Sequence, residues 1–150
     1  MECLKISNFG ATWLCDGCHS NLECLSLSKV QGLNDTCPES LMYGSLSRDL
    51  LRVPKLTRLI KLNLSYCTDF TDEGLLSFLP HAGPSLIELN LTGCMQLTPT
   101  GLLAISSCRN LEVLYLTAIL SIDDEVLSRI ARACQNLKYA EEETFAFNEI

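Results

Sequence analysis

Three segments of this chain repeat one pattern, and a chain that repeats itself at a short fixed period has few folds open to it. Leu59-Ile60-Lys61-Leu62-Asn63-Leu64-Ser65-Tyr66-Cys67 leads into Thr68-Asp69-Phe70-Thr71-Asp72-Glu73-Gly74-Leu75. Twenty-seven residues on, Leu86-Ile87-Glu88-Leu89-Asn90-Leu91-Thr92-Gly93-Cys94 leads into Met95-Gln96-Leu97-Thr98-Pro99-Thr100-Gly101-Leu102. Twenty-five further, Leu111-Glu112-Val113-Leu114-Tyr115-Leu116 leads into Ile119 and Ile122-Asp123-Asp124-Glu125-Val126-Leu127. A unit of this length holds one strand, a turn and one helix, and cannot bury its apolar face alone. Stacked neighbours supply the missing core.

Weaker copies extend the array both ways. Leu137-Lys138-Tyr139-Ala140 opens another strand 26 residues after Leu111. Leu22, Leu25, Leu27, Val30 and Leu33 fill the same places 37 residues before Leu59, and Met1, Leu4, Ile6 and Phe9 fill them 21 residues earlier still. The count is six strands in one domain spanning residues 1–150. The gap of 37 implies an insertion within Asp35 to Leu56, where Pro38, Gly44, Pro54 and several serines predict a surface loop.

Within each unit the leucines alternate with Lys61, Asn63 and Ser65, or with Glu88, Asn90 and Thr92. Alternation at period two sends the leucines to one face of a strand and the polar residues to the other. Parallel strands about 4.8 Å apart then join their polar sides into one surface. Cys24, Ser26, Lys61, Asn63, Glu88, Asn90, Val113, Tyr115 and Tyr139 are expected to line it. Tyr115 and Tyr139 are the expected contact anchors, since tyrosine offers large area at small entropic cost. The second half of each unit has helical spacing. Thr98 is placed to cap a helix with Pro99 at its first position, and Asp123, Asp124 and Glu125 open the next. Leu127, Ile130, Ala131 and Cys134 are expected to form that helix's inner stripe.

The full pattern, L-x-x-L-x-L-x-x-C-x-x-[LF]-T-D-x-G-L with a second Cys before the next leucine, resembles the cysteine-containing class of leucine-rich repeats. It is most complete over Leu59 to Gly74; the second copy has Pro99 for Asp, and the third has Ile119 for Cys. The resemblance implies an α/β leucine-rich repeat solenoid, a short right-handed arc like ribonuclease inhibitor, with parallel strands on the concave side and helices on the convex side. This class is typical of F-box proteins, in which the arc holds a substrate for a Skp–cullin–F-box ubiquitin ligase. The implied function is protein recognition in the cytoplasm or nucleus, with a substrate or regulator as partner. Skp and cullin enter only through an F-box outside this chain, since no F-box segment precedes the first repeat. Antagonist-of-mitotic-exit-like proteins carry a similar arc without the box, so a regulator or scaffold not tied to a ligase is the alternative.

Other classes of function find less support. A net charge of −7 opposes general binding to nucleic acid or membrane surfaces. No apolar run is long enough to span a bilayer, and the first residues lack the order of a signal peptide. Five of the eleven basic residues nevertheless fall between Arg48 and Lys61. Arg48, Arg52, Lys55 and Arg58 are expected to form a basic patch beside the third strand, suited to an acidic or phosphorylated segment. Cys15-Asp16-Gly17-Cys18-His19 matches the attachment sequence of a c-type haem. Leu14, Cys18 and Leu22 also fall near repeat positions, however, and neither a second axial ligand nor zinc-like spacing accompanies them. No cofactor or metal is expected. With only two histidines and no phosphate loop or nucleophile motif, neither is catalysis. The nine cysteines are expected to be reduced. Cys67 with Cys94, and Cys108 with Cys134, recur at fixed places, as small buried hydrophobes with a weak donor for a nearby carbonyl do.

Overall fold

The computed structural model describes residues 4–5, 22–29 and 57–141. The strands are β1 (Leu4–Lys5), β2 (Cys24–Ser26), β3 (Lys61–Asn63), β4 (Glu88–Asn90), β5 (Val113–Tyr115) and β6 (Tyr139–Glu141). They form one parallel sheet in chain order, β1-β2-β3-β4-β5-β6. The helices between them are α1 (Asp72–Ala82), α2 (Pro99–Leu103) and α3 (Asp124–Ala133), with 3-10 turns at Gly83–Ser85 and Ala104–Ser107. This is the expected repeat solenoid. Sequential parallel order is what stacking identical units must give, because each strand can only pair with its neighbours in the array.

Leu25, Leu62, Leu89 and Leu114 stand opposite one another in register. All four are buried, in one row that runs across the sheet. Leu27, Leu64, Leu91 and Leu116 make a second buried row at the strand ends, and Leu59, Leu86 and Leu111 a third at the strand starts. β1 spans two residues and the other five strands three each, where the leucine pattern predicts strands over Leu59–Leu64, Leu86–Leu91 and Leu111–Leu116. The backbone ladder nevertheless runs on past them. Leu64 N donates to Asn90 O at 2.8 Å and Tyr66 N to Thr92 O at 2.7 Å, and Leu91 and Gly93 do the same toward Tyr115 and Thr117 at 2.9 Å each. Each unit's turn is therefore tied to the next as firmly as its strand.

Those turns share a left-handed residue. Lys29, Tyr66, Gly93 and Ala118, each two places past the last strand leucine, have φ between 59° and 71°. Only one is glycine, so three units hold a side chain where it costs on the order of 1 kcal/mol. The ladder bond made by the N–H of Lys29, Tyr66 and Gly93 fixes that conformation.

α2 and α3 begin where sequence places them, and α1 is capped in the same way as α2. Thr71 and Thr98 accept from the N–H two residues on, at 3.3 Å each, and Asp123 Oδ1 accepts from Val126 N at 2.8 Å. α2 spans a single turn and a half before tightening into 3-10 geometry, in the unit with the fewest residues between its cap and the next leucine. The stripe of α3 differs from expectation: Val126, Ile130 and Cys134 are buried, Leu127 is half-buried and Ala131 is exposed. Capping at Asp123 sets the helix phase, and from that phase Val126 takes the inward place.

The T-D-x-G sequence has a physical explanation between units. The Asp72 carboxylate accepts from Thr98 N at 2.8 Å and also from the Thr98 hydroxyl. A Cβ on Gly101 would lie 2.1 Å from Asp72 Oδ1. The aspartate of one unit thus holds the cap of the next, and the next unit's glycine leaves it room.

Replacing Leu89 by Ala should cost about 2–5 kcal/mol through the cavity it leaves, read as a lower urea midpoint. Gly101→Ala should cost about 1–3 kcal/mol by forcing Asp72 out of its site. Added to Asp72→Ala it should cost clearly less, because the obstacle is then gone.

Candidate functional site

The sheet surface opposite the leucines is built from two rows of side chains. Cys24, Lys61, Glu88, Val113 and Tyr139 share one register, and Ser26, Asn63, Asn90, Tyr115 and Glu141 share the other. Cys24, Ser26, Lys61, Asn63, Glu88, Asn90, Val113, Tyr115 and Tyr139 thus hold register positions in these two rows. Lys61, Asn63, Glu88, Asn90, Val113 and Tyr115 are each half-buried, as side chains standing on a sheet must be. Cys24 departs from them: it is buried, and it is disulfide-bonded. Its place is on the polar face rather than at the repeated positions of Cys67, Cys94, Cys108 and Cys134. The expectation of nine reduced cysteines fails there.

Contacts among these residues change what they can offer. Lys61 and Glu88, direct neighbours on β3 and β4, form an ion pair with side chains 42% and 30% exposed. At that exposure the pair adds little stability, but it cancels both charges on the surface. Glu112 and Lys138 pair in the same way at 2.9 Å. Asn63 Oδ1 accepts from Ser65 N, and Asn90 Oδ1 from Thr92 N, both at 2.9 Å. Each asparagine therefore turns its oxygen to its own backbone. A row of hydroxyls continues the alternation beyond: Ser28 and Ser65 bond each other at 2.7 Å, followed in the repeat by Thr92 and Thr117.

The expected basic patch is described only at Arg58, which pairs with Glu23 at 3.6 Å. Arg48, Arg52 and Lys55 lie outside the described residues, as do Cys15, Cys18 and His19. Also unanticipated is a set of exposed apolar side chains in the turns: Tyr66, Met95 and Leu120. Met95 and Leu120 occupy one position in successive units, just after Cys94 and Ile119. Tyr66 lies against Gly93, where a Cβ would meet its ring at 2.6 Å, and Lys29 Nζ sits 5.7 Å from the ring centroid.

Comparison with known proteins agrees with the geometry. The family model described as leucine-rich repeat matches residues 55–79 and 84–106. Among solved structures, a chain of the crystal structure of the Rad7 and Elc1 complex in yeast aligns with a TM-score of 0.66 at 26% identity. The alignment covers 77% of this chain and 27% of that one, so this chain spans about a quarter of the solved chain's length. Comparison with curated proteins finds no match. The fold is thus a leucine-rich repeat arc, a protein-interaction architecture.

The cysteine chemistry is structural. Cys67 Sγ donates to Leu27 O at 3.0 Å, Cys94 Sγ to Leu64 O at 3.1 Å, and Cys134 Sγ to Ile105 O at 3.4 Å. Each bond reaches from one unit to the one before. Burial raises the thiol pKa of Cys94 and Cys108 to about 12, and raises that of Cys134 as well. Neutral buried thiols are poor nucleophiles. Among the described residues no three His, Cys, Asp or Glu side chains come together as a metal site. Cys67, Cys94, Cys108 and Cys134 should therefore resist iodoacetamide at pH 8 in the native protein and react together once it unfolds. The raised pKa values also set a sign. Folded thiols ionise later than unfolded ones, so this contribution is complete below pH 9.0 and is lost as pH climbs toward about 12. The urea midpoint should fall across that window. A flat alkaline limb would count against burial as the cause.

Proposed function

We propose that the chain is a protein-recognition module whose concave sheet face holds a partner, and that it is the substrate-binding arc of a Skp–cullin–F-box-type ubiquitin ligase receptor. The observation that carries the first part is the register of the sheet. Lys61, Asn63, Glu88, Asn90, Val113, Tyr115 and Tyr139 are spaced by the backbone itself, about 4.8 Å from strand to strand. A row of fixed, half-exposed side chains suits a binding surface. A reaction would need convergent acid, base and nucleophile, and the described surface brings no such set together.

The ligase assignment rests on the cysteine-containing form of the repeat, which resembles that of F-box proteins. The similar solved chain comes from a two-protein complex, which is compatible with a binding role. Among the described residues no helix is long and apolar enough to cross a membrane. The resemblance implies the cytoplasm or nucleus; the free thiols of Cys67, Cys94, Cys108 and Cys134 suit a reducing compartment, whereas the Cys24 disulfide does not. Arg48, Arg52, Lys55 and Arg58 are proposed as a second contact for an acidic segment.

Affinity purification of the full-length protein, followed by identification of its adaptor and cullin, tests the ligase role. Co-purification of a Skp-type adaptor is expected. Partner binding without any adaptor or cullin would instead place the arc in an F-box-less regulator. Tyr115→Ala should weaken the partner by about 2 kcal/mol, roughly thirtyfold, while the melting temperature changes little.

A further inference from the structure

Asn63 and Asn90 are the only two residues in the described strands whose side-chain amide orientation is fixed by the backbone beside them. The N–H groups of Ser65 and Thr92 can only donate, so the atom each asparagine turns toward them must be oxygen. Each NH2 group, a double donor, is thereby turned away from that backbone, while the oxygen stays beside it. The two residues are register partners on β3 and β4, so their donors are one strand spacing apart, about 4.8 Å. Ser26 precedes them in the row and Tyr115 follows.

The neighbouring polar groups are largely spent on each other. Lys61 pairs with Glu88, one step along the same strands, leaving that part of the surface without net charge. Ser28 bonds Ser65. A carboxylate or phosphate set over the asparagines would find Glu88 close by, with Lys61 already paired to it. A cationic side chain would meet donors it cannot use. An uncharged carbonyl meets neither obstacle.

We propose that the concave face selects an extended, uncharged segment of a partner protein, whose main-chain or side-chain carbonyl oxygens accept from Asn63 and Asn90 while an apolar side chain packs against Tyr115 and Val113. This rests on the assignment of the concave face as the binding surface and specifies the chemistry it accepts. Affinity then comes from hydrogen bonds and tyrosine area. Salt, which screens exposed charges, has little to act on.

Asn→Asp is the discriminating substitution. Aspartate keeps the inward oxygen that accepts from Ser65 N or Thr92 N, and replaces only the outward NH2 by a charged acceptor. A random-sequence peptide display library is selected on the immobilised full chain, with counter-selection on Tyr115→Ala. Individual synthetic peptides are then measured by fluorescence anisotropy. Enriched peptides should be poor in Asp, Glu, Lys and Arg. Their affinity should change less than about threefold between roughly 50 and 500 mM salt. N63D and N90D, each made singly, should weaken them about tenfold, the loss expected when a carbonyl faces oxygen instead of a donor, and N63D/N90D further, with the circular dichroism of the fold retained although the paired aspartates lower the melting temperature. Peptides dominated by one sign of charge, a salt effect of threefold or more, or undiminished binding to N63D/N90D would overturn the inference while leaving the concave face as the binding surface. If no peptide distinguished wild type from Tyr115→Ala, the concave-face assignment would fall, and this inference with it.

Discussion

Everything in this structure depends on an incomplete unit being completed by its neighbour. A strand of three residues has too few backbone bonds and too little apolar area to persist alone. Set beside a copy of itself, it gains a ladder on each edge, and its leucine gains a wall on each side. The same dependence reaches the turns, where Tyr66 and Gly93 bond into the next unit, and the helices, where Asp72 holds the cap at Thr98. It reaches the thiols too, since Cys67, Cys94 and Cys134 each donate to a carbonyl of the unit before. Stability is then close to a sum of interfaces between neighbours rather than a property of any one element.

That dependence explains which features were legible in the sequence. Leucine spacing fixed strand order and register because any slip by one residue would turn every leucine to solvent. The helix starts at Thr98 and Asp123 were legible because the chemistry is local: an oxygen within reach of an N–H two or three residues on. The inner stripe of α3 was misread at Ala131 because periodicity alone gives two adjacent phases for a ten-residue helix. The cap residue chooses between them, and Val126 is the result. Strand length was overestimated since the leucine pattern continues through the turn, where the ladder survives but the extended geometry does not.

The candidate surface was legible in position and much less so in character. Lys61 and Glu88 could be placed on the same face from alternation, but read singly they suggest two charges for a partner. Read in register they are adjacent and cancel. Arg58 likewise reads as part of a basic run, yet it faces Glu23, which precedes it by 35 residues and by one strand. The asparagines are the subtler case. Asn-x-Ser and Asn-x-Thr in a strand suggest polar exposure, whereas the structure shows half of each amide taken up by its own backbone. Cross-strand pairing converts a list of exposed residues into a surface with a specific, and mostly neutral, set of unsatisfied groups.

The turn column shows how far such coupling extends. A left-handed residue at this position would ordinarily be glycine, yet Lys29, Tyr66 and Ala118 occupy three of the four places. The one glycine, Gly93, sits where the ring of Tyr66 from the preceding unit already fills the space a Cβ would need. Lys29 Nζ in turn stands over the same ring, 5.7 Å from its centroid and within cation–π distance. The choice of residue at each turn is therefore set less by the turn's own backbone than by what the adjacent turn projects onto it. At Tyr66 a bulky, exposed side chain in one unit is accommodated by Gly93 in the next. This is why the repeat can vary freely along its rim, at Tyr66, Met95 and Leu120, while the leucine rows beneath allow almost no variation at all.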